Sequence, residues 1–288
     1  MHTGFIGLGA MGAPMARNLH RAGTLKAVWN RNAAKARELA HELGCVAAES
    51  PAALAREVDV ILICVSADAD VLEMIEALVP GLRRGQVVLD FSTVSADTAR
   101  RAAARLAPLG VEFMDTPVSG GVEGARNATL AIMAGGDAAT FATVQPVLQS
   151  LGRTLTHFGP HGSGQAAKAT NQIMVAGVAR AVAEAMAFAQ SQALPLDQVI
   201  ATLGGGAAAS WFLTNRAPFM QRRSFPPGFR VRLHSKDLLI CRAMAAARGV
   251  TLPVVEASLA DYDRLIEGGW GDEDISAIFR LKAQLFEP

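Results

Sequence analysis

Three glycines, Gly7, Gly9 and Gly12, sit in the run Gly4-Phe5-Ile6-Gly7-Leu8-Gly9-Ala10-Met11-Gly12, a G-x-G-x-x-G pattern directly behind a short apolar segment. That spacing suits the holding of a pyrophosphate. Gly7 serves a tight turn, Gly9 lets backbone approach the phosphates, and Gly12 allows a helix to pack closely on a strand. Leu8, Ala10 and Met11 complete a loop whose N–H groups gather at a helix start, where negative charge is favoured. A plain glycine-rich turn is the competing reading. The flanks argue against it: residues 2–6 read as a strand, 11–22 as a helix with Pro14 tolerated in its first turn, and Leu25–Trp29 as a second strand. A dinucleotide cofactor is therefore expected. Where an acidic residue would accept the ribose hydroxyl of NAD, the chain has Trp29-Asn30-Arg31-Asn32. Arg31 offers a planar cationic fork for a 2′-phosphate and Asn30 adds neutral polar contacts. NADP is expected over NAD, with NAD possible; otherwise Arg31 is an ordinary solvated arginine.

The elements that must position this loop alternate through the first half. Strands are expected at 58–65, 86–91, 111–114, 129–134 and 153–158, with helices at 70–78, 96–109 and 138–151. Short continuous apolar runs between helical patterns imply a mainly parallel sheet covered on both faces. Composition changes at Gly159-Pro160-His161-Gly162-Ser163-Gly164, the hinge candidate. Beyond it the pattern is helical only: a long alanine-rich helix over 165–192, then 196–203, 211–220, 233–248, 253–267 and 275–286. The fold class expected is α/β, with an amino-terminal Rossmann-type doubly wound sheet over residues 1–161. An all-α domain for substrate and dimerisation follows over 162–288.

Bulk properties narrow the partners. Lys plus Arg, at 27, nearly balances Asp plus Glu, at 26, which argues against a nucleic-acid stripe or an anionic membrane patch. Cys45, Cys64 and Cys241 make no metal spacing, and the scattered odd set suits a reducing cytoplasm. Arg180 and Glu184 interrupt the long apolar helix, which reads as a core helix and not a membrane span. The histidines lack metal-ligand spacing, so no metal is expected.

Three later segments carry further chemistry: Asp115-Thr116-Pro117-Val118-Ser119-Gly120-Gly121 behind a strand, Gly162-Ser163-Gly164-Gln165-Ala166-Ala167-Lys168-Ala169-Thr170-Asn171-Gln172 opening the long helix, and Gly228-Phe229 with Leu233-His234-Ser235-Lys236-Asp237-Leu238. With the opening loop these closely resemble the β-hydroxyacid dehydrogenase family, which includes 3-hydroxyisobutyrate dehydrogenases and tartronate semialdehyde (2-hydroxy-3-oxopropionate) reductases. The resemblance spans essentially the whole chain.

Hydride reaching a carbonyl carbon leaves charge on oxygen, which needs a proton or a cation nearby. By the resemblance Lys168 supplies it, as general acid in reduction and base in oxidation; the bland alternative is a snorkelling surface lysine. Ser119, Gly120 and Gly121 expose backbone N–H groups in a concavity suited to a carboxylate, the role the family gives this segment; alternatively they form a structural turn. Asn171 and Gln172 lie three and four positions beyond Lys168, on the same helix face. Asn171 is the favoured contact to substrate or lysine. Gln172 stands where many members carry Asn, and either residue is alternatively an interhelical bridge. The resemblance also places Val65, Ser66 and Thr93 at cofactor or substrate and Lys236 near the cofactor, with Asp237 orienting it. A helix-surface ion pair is the alternative for Lys236 and Asp237. Phe229 is either a pocket wall or a core aromatic.

The substrate markers disagree. Residues 224–238 and the Asn171-Gln172 pair look like tartronate semialdehyde reductases, whereas Trp211 and the segment 270–276 resemble the hydroxyisobutyrate branch. A small carboxylate-bearing semialdehyde or β-hydroxy acid is expected, with tartronate semialdehyde first. A catalytically silent cofactor-binding protein is the contrasting class, against which Lys168 argues. Lys168 also argues against the related imine reductases, and Thr170 stands where 6-phosphogluconate dehydrogenases usually carry His. Family members usually associate through the helical domain, so a homodimer or homotetramer is expected.

Overall fold

The computed structural model describes residues 1–286. Alternate residues of the apolar runs separate onto two buried layers. Phe5, Val60, Leu62, Val87 and Leu89 join one core, while Ile6, Ile61, Ile63, Val88 and Phe113 join the other. Strands covered on both faces must be apolar throughout, which is why these runs show no polar alternation. The strands are β1 (Thr3–Ile6), β2 (Leu25–Trp29), β3 (Val46–Ala47), β4 (Val60–Ile63), β5 (Val87–Asp90), β6 (Glu112–Asp115), β7 (Val118–Ser119), β8 (Leu130–Gly135) and β9 (Gly152–Gly159). They form one sheet in the order β3-β2-β1-β4-β5-β6-β8-β7, with β9 also pairing β8. The stretch from β3 to β6 is parallel and β8 runs antiparallel to β6 and β7. The order reverses between β1 and β4, and ligands dock beyond the carboxyl ends of strands at such a point.

Around the sheet lie α1 (Gly12–Arg21), α2 (Ala33–Leu43), α3 (Pro51–Glu57), α4 (Asp68–Leu78), α5 (Ala96–Leu106), α6 (Gly121–Asn127) and α7 (Ala138–Gln149). Then come α8 (Ser163–Ser191), α9 (Leu196–Leu203), α10 (Trp211–Gln221), α11 (Val231–Ala246), α12 (Pro253–Glu267) and α13 (Phe279–Ala283). Two compact units meet at Lys168/Ala169. The division falls inside α8 and not at the glycine junction expected at 161/162, because the first turn of α8 is hydrogen-bonded to residues of the sheet unit. The second unit is helical and has its own core, to which α8 gives Ala176, Ala179, Ala183 and Ala187. By length and composition alone α8 is apolar enough to cross a membrane, and 44% of its most apolar window is buried inside the fold. The helix expected over 275–286 is broken: residues Ile275–Ile278 and Gln284–Phe286 are 3₁₀ turns flanking α13. Asp274 causes the first break by accepting the Ser276 N–H (3.0 Å) and hydroxyl (2.7 Å).

Candidate active site

The glycine loop joins β1 to α1. Gly7 has φ 95°, and a Cβ there would lie 2.2 Å from the Cys64 carbonyl oxygen; one on Gly12 would lie 1.9 Å from the Gly7 oxygen. Both positions require glycine. A Cβ on Gly9 would meet nothing within 4 Å, so this backbone faces open space. Leu8 is buried beneath the loop, Ala10 is exposed at the helix start and Met11 is the cap residue. No side chain caps α1 and no acidic residue lies in its first turn. These features fit a cofactor diphosphate on the helix amino terminus.

A groove beside the loop is lined by Gly7, Gly9, Trp29, Asn30, Arg31, Cys64, Val65, Ser66, Asp70 and Met74. It brings together the expected residues at the ends of β1, β2 and β4. Asn30 accepts the Leu8 N–H (2.9 Å) and donates to the Asn32 carbonyl (3.1 Å), so its carboxamide braces the glycine turn. Arg31 is not simply solvated. Its Nη2 donates to Asp70 (2.7 Å) and Glu73 (3.1 Å).

The loops after β4 and β5 are tied to the start of α8. Ser92 Oγ accepts the Val65 N–H (2.9 Å), and the Ser92 carbonyl accepts from Gln165 Nε2 (2.8 Å). Gln165 Oε1 in turn accepts the Val94 N–H (3.2 Å), which brackets half-buried Thr93 between two held residues. Asp115 Oδ1 and Oδ2 accept the N–H groups of Gly162 (2.8 Å) and Gln165 (2.9 Å), capping α8. Lys168 follows within the second turn and is buried, 7% exposed. A lysine this buried is not a snorkelling surface residue. Ser119 ends β7; Gly120 (φ 128°) and Gly121 (φ 60°) lead into α6, for which the sequence alone gives no expectation. The exposed Gly120 and Gly121 backbone thus stands at a helix start.

The helical unit assembles the other expected residues. Asn171 Nδ2 donates to Gln172 Oε1 (2.8 Å), Gln172 Nε2 donates to Asp237 (2.6 Å), and Asp237 pairs with Lys236 Nζ (3.1 Å). Gln172 is 1% exposed with both ends of its amide engaged, so it braces Asn171 against Asp237. Lys236 and Asp237 do form an ion pair on α11, with Lys236 31% exposed and Asp237 buried. Half-buried Phe229 packs on His234 (ring centroids 5.1 Å apart), and its N–H donates to buried Asp274 (2.9 Å).

Residues 2–159 match the model described as the NAD binding domain of 6-phosphogluconate dehydrogenase, and residues 162–282 match that described as NAD-binding of NADP-dependent 3-hydroxyisobutyrate dehydrogenase. The chain belongs to the β-hydroxyacid dehydrogenase family. It is 36% identical to the 2-hydroxy-3-oxopropionate reductase of Escherichia coli K12, over 96% of each chain. It is 32% identical to the mitochondrial 3-hydroxyisobutyrate dehydrogenase of Drosophila melanogaster, over 97% of this chain and 89% of that one. In structure it resembles the Mycobacterium tuberculosis 3-hydroxyisobutyrate dehydrogenase solved with L-serine: TM-score 0.89, 30% identity, 98% of this chain and 99% of that one. As a β-hydroxyacid dehydrogenase the chain is an NAD(P)-dependent oxidoreductase acting on hydroxyl groups.

In this β-hydroxyacid dehydrogenase, Asp90, Ser92, Asp115 and Gln165 hold the site together, although motif reading gave them no role. Their signal was polar residues at the ends of apolar strands and at a helix start, positions that become buried only when the sheet forms. Asp90 is fully buried, with Oδ1 accepting the Ser92 N–H (3.0 Å) and Oδ2 without a hydrogen-bond partner among the described residues. Burial, only partly offset by Ser92, pushes its carboxyl up to about 7. An unfolded aspartate titrates near ~3.9, so the folded state binds this proton more tightly. The resulting stabilisation is complete below about pH 4 and is lost as pH rises toward 7. Asp90→Asn is therefore expected to flatten the fall in unfolding free energy across that window, measured by urea titration at several pH values. An unchanged slope would remove Asp90 as its source.

Proposed function

We propose that this β-hydroxyacid dehydrogenase transfers hydride between NADPH and a short semialdehyde/β-hydroxy acid pair, with tartronate semialdehyde (2-hydroxy-3-oxopropionate) as the physiological aldehyde. The observation that carries the reading is buried Lys168 on a helix whose first turn is pinned by Asp115 and Gln165. When bound, the cofactor supplies hydride to the aldehyde carbon. The Lys168 ammonium gives its proton to the carbonyl oxygen as charge develops there, and takes it back in alcohol oxidation. Ser119, Gly120 and Gly121 offer backbone N–H groups to the carboxylate, and Asn171, fixed by Gln172, donates to the substrate's oxygens. The 36% identity to the E. coli reductase, together with the Asn171-Gln172 pair, supports tartronate semialdehyde within this class.

A spectrophotometric panel following nicotinamide absorbance tests the proposal. It holds tartronate, methylmalonate and succinic semialdehydes, glyoxylate, 3-hydroxyisobutyrate and serine, each with both cofactors. The highest kcat/KM is expected for tartronate semialdehyde with NADPH. A higher value for the hydroxyisobutyrate pair would reassign the substrate, and no turnover on any member would reject catalysis. An NADH preference of about tenfold or more, equivalent to ~1.4 kcal/mol, would reject the cofactor choice. Conversely, Asn30→Asp combined with Arg31→Ala is expected to reverse a preference for NADPH, by adding a ribose acceptor and removing the cationic fork.

A further inference from the structure

The environment of Arg31 departs from that of an arginine waiting for a phosphate. Its side chain is 66% exposed, yet one nitrogen, Nη2, donates to both Asp70 Oδ1 (2.7 Å) and Glu73 Oε2 (3.1 Å). A guanidinium offers two forks for bidentate binding, Nε–H with Nη2–H and Nη1–H with Nη2–H. Both forks use Nη2. With its two protons given to carboxylates, neither fork is complete.

The carboxylates are well set for this. Asp70 lies in the first turn of α4, where the helix dipole favours negative charge, and Glu73 is three residues on, over the same face. Asp70 is the better buried of the two, its side chain 23% exposed against 60% for Glu73, and it lines the groove with Gly9, Asn30 and Arg31. Two carboxylates against one guanidinium leave this corner with a net negative charge, opposite to what a dianionic phosphomonoester requires.

We propose that Asp70, seconded by Glu73, is a specificity-determining residue. It is a carboxylate clamp that must release Arg31 before a 2′-phosphate can be gripped, and so holds the preference for the phosphorylated cofactor below what Arg31 alone would set. A cofactor with a free 2′-hydroxyl leaves the clamp closed and does not bear this cost. The clamp rests on the NADPH reading above.

Isothermal titration calorimetry of NADP+ and NAD+ with the purified protein tests both ideas separately. The parent's own Kd ratio examines the NADPH reading: tighter NAD+ binding would count against it whatever the variants do. The clamp is read from the change in that ratio. Removing two partly exposed charges with Asp70→Asn plus Glu73→Gln is expected to shift it about five- to tenfold toward NADP+, the single Asp70→Asn giving the larger share. A structural loosening alone would weaken both cofactors alike and leave the ratio in place. A shift below about twofold would overturn the clamp. So would a full shift that survives Arg31→Gln in the double-variant background, since the carboxylates would then act on the phosphate directly and not by withholding Arg31.

Discussion

Lys168→Ala is expected to lower kcat by about three orders of magnitude, the scale on which a positioned proton donor acts. The argument starts from burial. An ammonium that is 7% exposed has given up most of its hydration, and lysines are rarely placed so without a task. It also stands early on α8, just beyond the first turn that Asp115 and Gln165 tie to the sheet unit. Lys168→Arg keeps the charge but replaces a compact donor with a planar cation that does not deprotonate near neutrality. It is therefore expected to lie much closer to the alanine variant than to the parent. Cofactor Kd should change by less than about twofold in both, because the diphosphate loop and the Arg31 groove do not include this residue. Steady-state kinetics beside calorimetry and circular dichroism decide the matter. An alanine variant within about tenfold of the parent's kcat would exclude Lys168 as the proton donor.

The sequence located residues better than it located their partners. The bounds of β2, α9 and α12 are those expected, because apolar periodicity and flanking turn residues mark such elements locally. Helix α2 and helix α3 were passed over although their caps are written in the chain: Asn32 and Gly44 for one, Ser50 with Pro51 for the other. The intervening residues are alanine- and charge-rich, and their apolar stripe is thin. Helix α6 had no local signal. It begins Gly121-Val122-Glu123-Gly124, a poor helix former, and is held by its surroundings, with Asn18 donating to the Ala125 carbonyl (2.6 Å) and Leu130 against Gly124. The same division runs through the site. Arg31 is legible from its type and position, Lys168 and Gln172 from the family resemblance. Asp70 stands 39 residues from Arg31, Asp237 stands 65 from Gln172, and Asp115 stands 47 from Gly162, so these pairs exist only once the chain folds.

Asp115→Ala is expected to unfold at a temperature about 6–12 °C lower than the parent, corresponding to roughly 3 kcal/mol. The carboxylate is fully buried and its two oxygens satisfy two of the N–H groups left open at the start of α8. Alanine leaves both donors unpaired in a place water cannot easily enter. The start of the helix presses closely on the sheet: a Cβ on Gly164 would lie 2.3 Å from the Met133 oxygen, and one on Gly135 would lie 2.7 Å from Asp115 Oδ1 and from the Gly164 nitrogen. Burial raises the Asp115 carboxyl above its ordinary range, and the two N–H bonds pull it partly back. Asp115→Asn keeps one acceptor but turns an NH2 toward the second donor, and is expected to recover no more than about half of the loss. Activity should follow geometry. Lys168 is one turn beyond Gln165, so a helix start released by even a fraction of an ångström misplaces the ammonium, lowering kcat about tenfold or more while cofactor Kd holds. Thermal unfolding, kcat and calorimetry on the two variants separate these effects. A melting temperature within about 1 °C of the parent would show that this carboxylate does not hold the helix of Lys168.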